Sequence, residues 1–336
     1  MFTKNVFSID YDFSAIGLGC RSFSGKHYWS TYDEAGSIQT INTALGCGVN
    51  VFDVSPTYGN GHAESLLGKT LYASKKRGSV FLITKCGIIL EKNNKIRIDL
   101  SRESILKSID ESLKRLKTTY VDLYSCHFPD PNTDIEETME TLVFLKKLGK
   151  IRYIGFTNFS ESETRRALRV AKVNAVQGLY NLIERNPRYV YNSALSYLVE
   201  KDLFPLCREE SMAFFPYSPL FHGVLTDNYR RHLYGNTDIR KDDPKLSNER
   251  LRAYLSLLEK LEALAKELGK TVSQIAINFL IQKDTVTSVL AGASNPSQLI
   301  SNLHAVNFML GPDELDLIDK YVREFSLSTG DIFQTV

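Results

Sequence analysis

Apolar and polar positions along this chain follow two periods in turn. Short runs rich in β-branched and aromatic residues are each followed by a stretch in which apolar residues recur every three or four positions. "AIGLGC" leads into "SIQTINTALGCG", which glycine closes, and "VNVFDV" leads into "AESLLGKTLY". "SVFLITKCG" leads into "SRESILKSIDESLKRL", where Ser101 and Ser104 offer N-caps and Leu106, Ile109, Leu113 and Leu116 share one face. "VDLYSCH" is followed by "IEETMETLVFLKKLGK", "IRYIGFTNF" by "SESETRRALRVAK", and "AVQGLYN" by a helix predicted over residues 193–200. "MAFFPYS" and "TVTSVLAG" supply the last two strands, and "NPSQLISNLHA" the helix after them.

The predicted strands end near residues 19, 53, 85, 126, 156, 179, 217 and 291. Each interval suits one βα unit of a parallel sheet, except the one from 217 to 291. That interval holds a polar loop, "FHGVLTDNYRRHLYGNTDIRKDDPKLS", and two helices, "NERLRAYLSLLEKLEALAKELG" and "VSQIAINFLIQ". Loops of this length in compact domains are usually functional. Eight units without a linker predict an α/β fold, one (β/α)8 TIM barrel over residues 1–336. "VFSIDYDFS" predicts an N-terminal β-hairpin and "GPDELDLIDKYVREF" an extra C-terminal helix.

Composition narrows the partners. The chain has 336 residues, 43% apolar and 24% charged, with a net charge of +2. Near-neutrality gives no reason to expect nucleic acid or an anionic membrane. No stretch approaches the roughly 18 apolar residues of a spanning helix, and "MFTKNVFSID" is too polar for a signal peptide. Cys20, Cys47, Cys86, Cys126 and Cys207 lack CxxC spacing and read as free thiols in a reducing cytoplasm, with no metal site expected.

Barrel chemistry is built where the strands end. Asp53 closes strand two and Tyr58 follows in a glycine-rich turn; Lys85 ends strand three and His127 ends strand four. A phenol, with a reference pKa near 10, is a poor acid at neutral pH unless its anion is stabilised, and an ammonium does that. A buried ammonium needs a carboxylate partner, which Asp53 can be. His127 can orient a carbonyl. Singly, such residues are common as caps, solvated charges or turn formers. Together on adjacent strands they make a general acid aimed at a carbonyl oxygen, or in reverse a base for an alcohol.

With these motifs the chain resembles the aldo-keto reductases, from "IGLGC" to about Ala305. "FDVSPTYGNGHAESLLGKTL" resembles the family's aspartate–tyrosine segment, "ITKCG" its lysine strand, "VDLYSCHFPDP" its histidine strand and "GKIRYIGFTNFS" its fifth-strand signature. "VQGLYNLIER", "YSPLFHGVLT" and "VLAGASNPSQLISNLHA" resemble its cofactor-holding stretches. Within the family the chain is similar to the bacterial general-stress and inositol-cluster reductases and to potassium-channel β subunits. The resemblance implies a nicotinamide cofactor across the rim, NADP(H) favoured and NAD(H) the alternative, with Tyr58 as proton donor. It implies that Asn158 and Gln177 hold the carboxamide and that Tyr217 stacks on the ring. Ser218, Leu220, Gly223, Leu225 and Arg240 would follow the pyrophosphate, and Ser294, Asn295, Gln298 and Asn302 the adenosine. Gly19, Cys20, Asp53, Thr157 and Gly292 complete the implied cofactor contacts.

Three departures stand out. Thr157 takes a place where relatives carry Ser, and Arg21 one where many carry Trp. Ser294 and Asn295 stand where Arg or Lys is common, and no basic residue lies between Leu290 and Asn302. The last weakens the expectation of NADP(H) unless Arg240 or Lys241 reaches the 2′-phosphate. Arg21, Tyr58, His127 and Phe128 are the expected substrate contacts, in a mouth that includes Ser22, Tyr28, Trp29 and Tyr124. An arginine fork suits an oxygen-rich or anionic carbonyl such as a sugar derivative, unless Arg21 turns outward to Asp10 or Asp12. Two other functions compete: a Schiff-base aldolase acting through Lys85, and a cofactor-sensing partner protein like the channel β subunits. The absence of a long N-terminal arm favours the enzyme. The sequence leaves the oligomeric state open.

Overall fold

The computed structural model describes residues 3–91, 95–190, 193–227, 229, 238, 240, 243–246 and 248–329. In chain order the strands are β1 (Thr3–Val6), β2 (Ile9–Ser14), β3 (Ile16–Gly19), β4 (Val51–Asp53), β5 (Phe81–Cys86), β6 (Ile88–Leu90), β7 (Ile96–Ile98), β8 (Val121–Cys126), β9 (Ile151–Thr157), β10 (Ala175–Leu179), β11 (Tyr189–Val190), β12 (Ser193–Ala194), β13 (Ala213–Tyr217) and β14 (Val289–Gly292). The helices are α1 (Glu34–Gly46), α2 (His62–Ala73), α3 (Arg102–Leu116), α4 (Ile135–Lys147), α5 (Glu161–Leu168), α6 (Phe204–Glu209), α7 (Asn248–Leu268), α8 (Val272–Ile281), α9 (Pro296–Leu303) and α10 (Pro312–Thr329).

Eight strands close into a parallel barrel in the order β3, β4, β5, β8, β9, β10, β13, β14, and β14 returns to pair with β3 from Val289↔Ile16 to Gly292↔Gly19. This is the expected (β/α)8 barrel, with strand ends within a residue or two of those read from the pattern. The helices lay their apolar faces on its outside. Ser101 caps α3 and Ile105, Ile109, Leu113 and Leu116 are buried, with Leu106 at the edge of that face.

The predicted hairpin is β1–β2, antiparallel, with Thr3 opposite Ser14 and Val6 opposite Ile9. Its Ile9 and Phe13 cluster with Val51, Phe81, Ile83, Leu123, Phe215 and Leu290 from inside the barrel. Phe13 meets Phe81 edge-on at 4.9 Å and Phe215 at 5.6 Å. The hairpin therefore plugs the end opposite the strand C-termini. Lys4 secures it by donating to the carbonyls of Ile281 (2.6 Å), the last residue of α8, and of Lys283 (3.1 Å) and Val286 (2.7 Å) just beyond it.

The helix predicted over residues 193–200 does not form as such. Tyr189 pairs with Ala194 in a two-residue ladder, and Leu195 N–H donates to Arg188 O. Helical backbone begins only at Val199, as a π-turn running into α6. Asn186 Oδ1 accepts from Glu200 N–H and Asp202 Oδ2 from Leu198 N–H, so side chains start the helix there and not at Ser193. Among the described residues no helix is long and apolar enough to cross a membrane, and no three His, Cys, Asp or Glu are grouped to hold a metal ion. Cys47 is exposed and the other four thiols are buried.

Candidate active site

Strand alternation builds the site. Side chains two apart point to the same face, so Val51 and Asp53, Ile83 and Lys85, Ala175 and Gln177, and Phe215 and Tyr217 all face the interior. The lower members join the apolar plug, while the upper ones gather as a polar layer at the open end. Tyr124, expected in the mouth, falls between Leu123 and Ser125 on β8. It faces the helix layer instead and is fully buried there.

Within that layer Lys85 Nζ lies 2.5 Å from Asp53 Oδ1 and donates also to Val54 O at 3.2 Å. Gln177 Nε2 donates to the same Asp53 oxygen at 2.9 Å, and the Lys85 ammonium lies 5.6 Å from the Tyr58 ring centroid. Burial would strip the Lys85 proton, but the carboxylate of Asp53 and the neighbouring phenol outweigh it and raise its pKa. Burial raises the Tyr58 phenol; Lys85 and Arg21 pull it down and Asp53 pushes it up, with a net rise. Burial, then the charges of Lys85 and Arg21, hold the His127 imidazole well below its ordinary value. At neutral pH the site therefore holds an ammonium, a phenol and a neutral imidazole. Phe128 stacks on His127 at 5.7 Å.

Tyr58 owes its place to a tight turn. Gly59 sits at φ +65°, and a Cβ there would lie 1.9 Å from Ser24 O in the loop after β3. Below the turn the fully buried Glu64 accepts from Thr84 Oγ1 (2.7 Å) and Arg115 Nε (2.6 Å), tying α2 to β5 and α3.

A cleft of about 650 Å³ runs from Asp53, Tyr58 and Tyr217 past Ser218, Leu220 and Gly223 to Gly292, Ser294, Gln298 and Asn302. Gly19, Arg21, Ser22, Trp29 and Arg240 line it as well. Several expected residues do not. Cys20 and Leu225 are fully buried in the apolar core. Asn295 caps α9 by accepting from Gln298 N–H. Thr157 is buried, its hydroxyl donating to Gln177 Oε1 at 2.9 Å. Asn158, at φ +65°, accepts at Oδ1 from Tyr217 (2.7 Å) and Tyr197 (3.0 Å) and donates to His127 O (3.2 Å). Tyr197 was hidden in a stretch that reads as an amphipathic helix, and no local signal marks it.

Arg240 pairs with Asp238 through Nε (2.8 Å) and Nη2 (2.7 Å) and lies 4.1 Å over the Trp29 ring. Asp238 also accepts from Ser30 Oγ at 2.9 Å, so the loop after β13 clasps the loop after β3. Lys241 lies outside the described residues. Arg21 does not reach Asp10 or Asp12, which belong to the hairpin at the far end of the barrel. It lines the cleft, and its charge bears on Tyr58, His127 and His222. Asp227, Thr271, Ser273 and His222 also line the cleft and were not singled out from the sequence.

Comparison with known proteins identifies the family. The model of the Aldo/keto reductase family matches residues 15–323. The chain is 35% identical over 288 residues to the aldo-keto reductase YhdN of Bacillus subtilis (strain 168), covering 85% of this chain and 83% of that one. It is 30% identical over 322 residues to the NADH-specific methylglyoxal reductase of Escherichia coli (strain K12), covering 92% and 94%. Among solved structures, the glycerol dehydrogenase AKR11B4 from Gluconobacter oxydans superposes with a TM-score of 0.83 at 29% identity, over 96% and 95% of the two chains. With its closed barrel and the polar layer at its open end, this chain belongs to the aldo/keto reductase family, oxidoreductases that act on carbonyls and alcohols with nicotinamide cofactors.

Proposed function

We propose that this chain reduces an aldehyde or ketone to the alcohol, or catalyses the reverse, with Tyr58 as the proton donor. The observation that carries the reading is the Asp53–Lys85–Tyr58 arrangement: a buried ammonium, held charged by a carboxylate, beside a protonated phenol. A lysine acting through an imine needs a neutral amine, and the ion pair to Asp53 works against one.

The polar groups left over suit a nicotinamide. Asn158 has one N–H unused by its three bonds, Gln177 keeps one N–H and one lone pair, and the Tyr217 ring borders the cleft. A nicotinamide dinucleotide held by these groups would supply the hydride. His127, neutral, donates to the substrate carbonyl and aligns it. Tyr58 releases its proton as negative charge develops on that oxygen, and the tyrosinate formed is stabilised by Lys85. Asp53 keeps Lys85 protonated throughout, and Gln177 holds Asp53 in register.

Arg21 beside Tyr58 and His127 supports an oxygen-rich or anionic carbonyl as substrate, such as a sugar or sugar-derived carbonyl. For the dinucleotide, the resemblance favours NADP(H). The far end of the cleft has hydroxyls and amides at Ser294, Gln298 and Asn302 and a carboxylate at Asp227, which suits NAD(H) equally well.

Tyr58→Phe tests the reading. Turnover should fall by about 100-fold or more while dinucleotide binding persists. Near-normal turnover would remove Tyr58 from the chemistry.

A further inference from the structure

The connection from β10 to α6 is long for a link between a strand and its helix, and it returns one side chain to the barrel mouth. Asn181 Nδ2 donates to Glu184 Oε2 at 2.8 Å, β11 pairs with β12, and the chain then brings Tyr197 against Asn158. Lys245, in the long loop after β13, holds this excursion by pairing with Glu184 and donating to Tyr189 O at 2.5 Å.

Tyr197 is buried, accepts from Leu179 N–H at 3.3 Å and donates to Asn158 Oδ1 at 3.0 Å. Tyr217 donates to that same oxygen at 2.7 Å. An amide oxygen has two lone pairs, so both are now taken. The amide nitrogen gives one hydrogen to His127 O, leaving a single N–H for a ligand. An asparagine amide is nearly symmetric in shape and can turn over at small steric cost. Here the flipped amide would turn its oxygen toward the His127 carbonyl, which can only accept, and would take from both phenolic O–H groups the oxygen they donate to. Burial pushes the Tyr197 phenol well above its ordinary value, so its hydroxyl stays a donor across the working pH range.

We propose that Tyr197 is a positioning residue: together with Tyr217 it fixes the Asn158 amide as a one-hydrogen donor, so that this position reads the carboxamide oxygen of a nicotinamide and not its amino group. The inference rests on the nicotinamide reading above and adds to it a residue that touches no ligand. It assigns a purpose to the excursion between β10 and α6, which the barrel does not need for closure.

The test uses Tyr197→Phe, which keeps the buried ring and removes the hydroxyl. Trp29 is the single tryptophan of the chain and lines the cleft, so its fluorescence can report binding. Dissociation constants are measured for the ordinary dinucleotide and its thionicotinamide analogue, whose sulfur is a poor acceptor, alongside the urea midpoint of each protein. The wild type should favour the oxygen form by about tenfold, the worth of one hydrogen bond. In Tyr197→Phe that preference should fall to about threefold or less, with the ordinary dinucleotide bound roughly fivefold more weakly. A purely structural Tyr197 would lower the urea midpoint and leave the oxygen-to-sulfur ratio as in the wild type, and that result overturns the assignment. If Tyr197→Phe does not fold, Asn158→Asp takes its place: a carboxylate still accepts from both tyrosines but has no N–H. Loss of the preference in it supports the assignment, and a retained preference overturns it. A wild type that binds neither dinucleotide brings down the nicotinamide reading itself, which the Tyr197→Phe outcomes do not.

Discussion

Lys85 and Asp53 meet at 2.5 Å where both side chains are almost wholly buried, and Gln177 donates to the same carboxylate oxygen. Removing one charge of such a pair leaves the other without compensation, at a cost of about 3–5 kcal/mol. Asp53→Asn should therefore destabilise the fold by that order. Asp53→Asn/Lys85→Met should recover most of the loss while remaining inactive. Urea unfolding of wild type, Asp53→Asn, Lys85→Met and the double variant closes the cycle, and purely additive effects would show that the pair is not coupled. Borohydride with substrate should trap nothing on Lys85; an adduct would give the lysine a covalent role.

Acid should weaken the fold through two partly buried histidines. Burial, then the charges of Arg21, Lys245 and Arg240, bring the His222 imidazole down to about 3, and its Nε2 lies 3.4 Å from Asp243 Oδ2. His127 is likewise depressed. The unfolded chain takes up a proton at each near pH 6.5 and the folded one does not. The stability is thus present above pH 6.5 and is lost as pH falls. Between pH 7.5 and 5.0 His222 should remove roughly 2 kcal/mol, and His127 acts in the same direction. Chemical denaturation at the two values, for wild type and His222→Gln, should differ in pH sensitivity by about that amount. Identical sensitivity would count against the neutral imidazole.

Arg21→Trp addresses the substrate. If Arg21 contacts it, kcat/KM for an anionic sugar should drop by about tenfold or more, the scale of one charged contact, while benzaldehyde is unchanged or improved. Equal losses on both substrates would make Arg21 structural.

The dinucleotide is open to a direct measurement. Among the described residues lining the far end of the cleft there is no cation, Asp227 supplies a carboxylate, and Arg240 is held by Asp238. Ser294→Arg should tilt the NADPH-to-NADH ratio of kcat/KM by about tenfold toward NADPH. A wild type that already prefers NADPH a hundredfold would refute the expectation of weak discrimination.

The barrel was legible because its strands alternate so regularly with helical periods, and because strand parity alone sets Asp53, Lys85 and Gln177 on one face. The four residues of the rim could be read because each sits at the end of a strand or, for Tyr58, in the turn just after one, within a short motif. Tyr197 could not. Its partner Asn158 is remote in sequence, and its own segment carries an amphipathic pattern that Asn186 and Asp202 override by starting the helix later. Arg240 looked like a phosphate ligand by charge alone; its pairing with Asp238 and stacking on Trp29 depend on two loops meeting across the mouth. Asn295 and Cys20 fit the family motif by position, yet a helix cap and the apolar core claim their side chains.

Lys4 and Ile281, joined by a hydrogen bond, stand 277 positions apart in the chain. A chain leaves the ribosome N-terminus first. The hairpin that plugs the barrel, with Ile9 and Phe13 on its apolar face, is therefore made long before its anchor and most of its packing partners. The first barrel strand likewise waits for the last before the sheet can close. Until residue 286 has emerged, Lys4 lacks the last of the three carbonyls that hold it. Anchoring of the hairpin and closure of the barrel are thus late and nearly simultaneous events in the making of this protein.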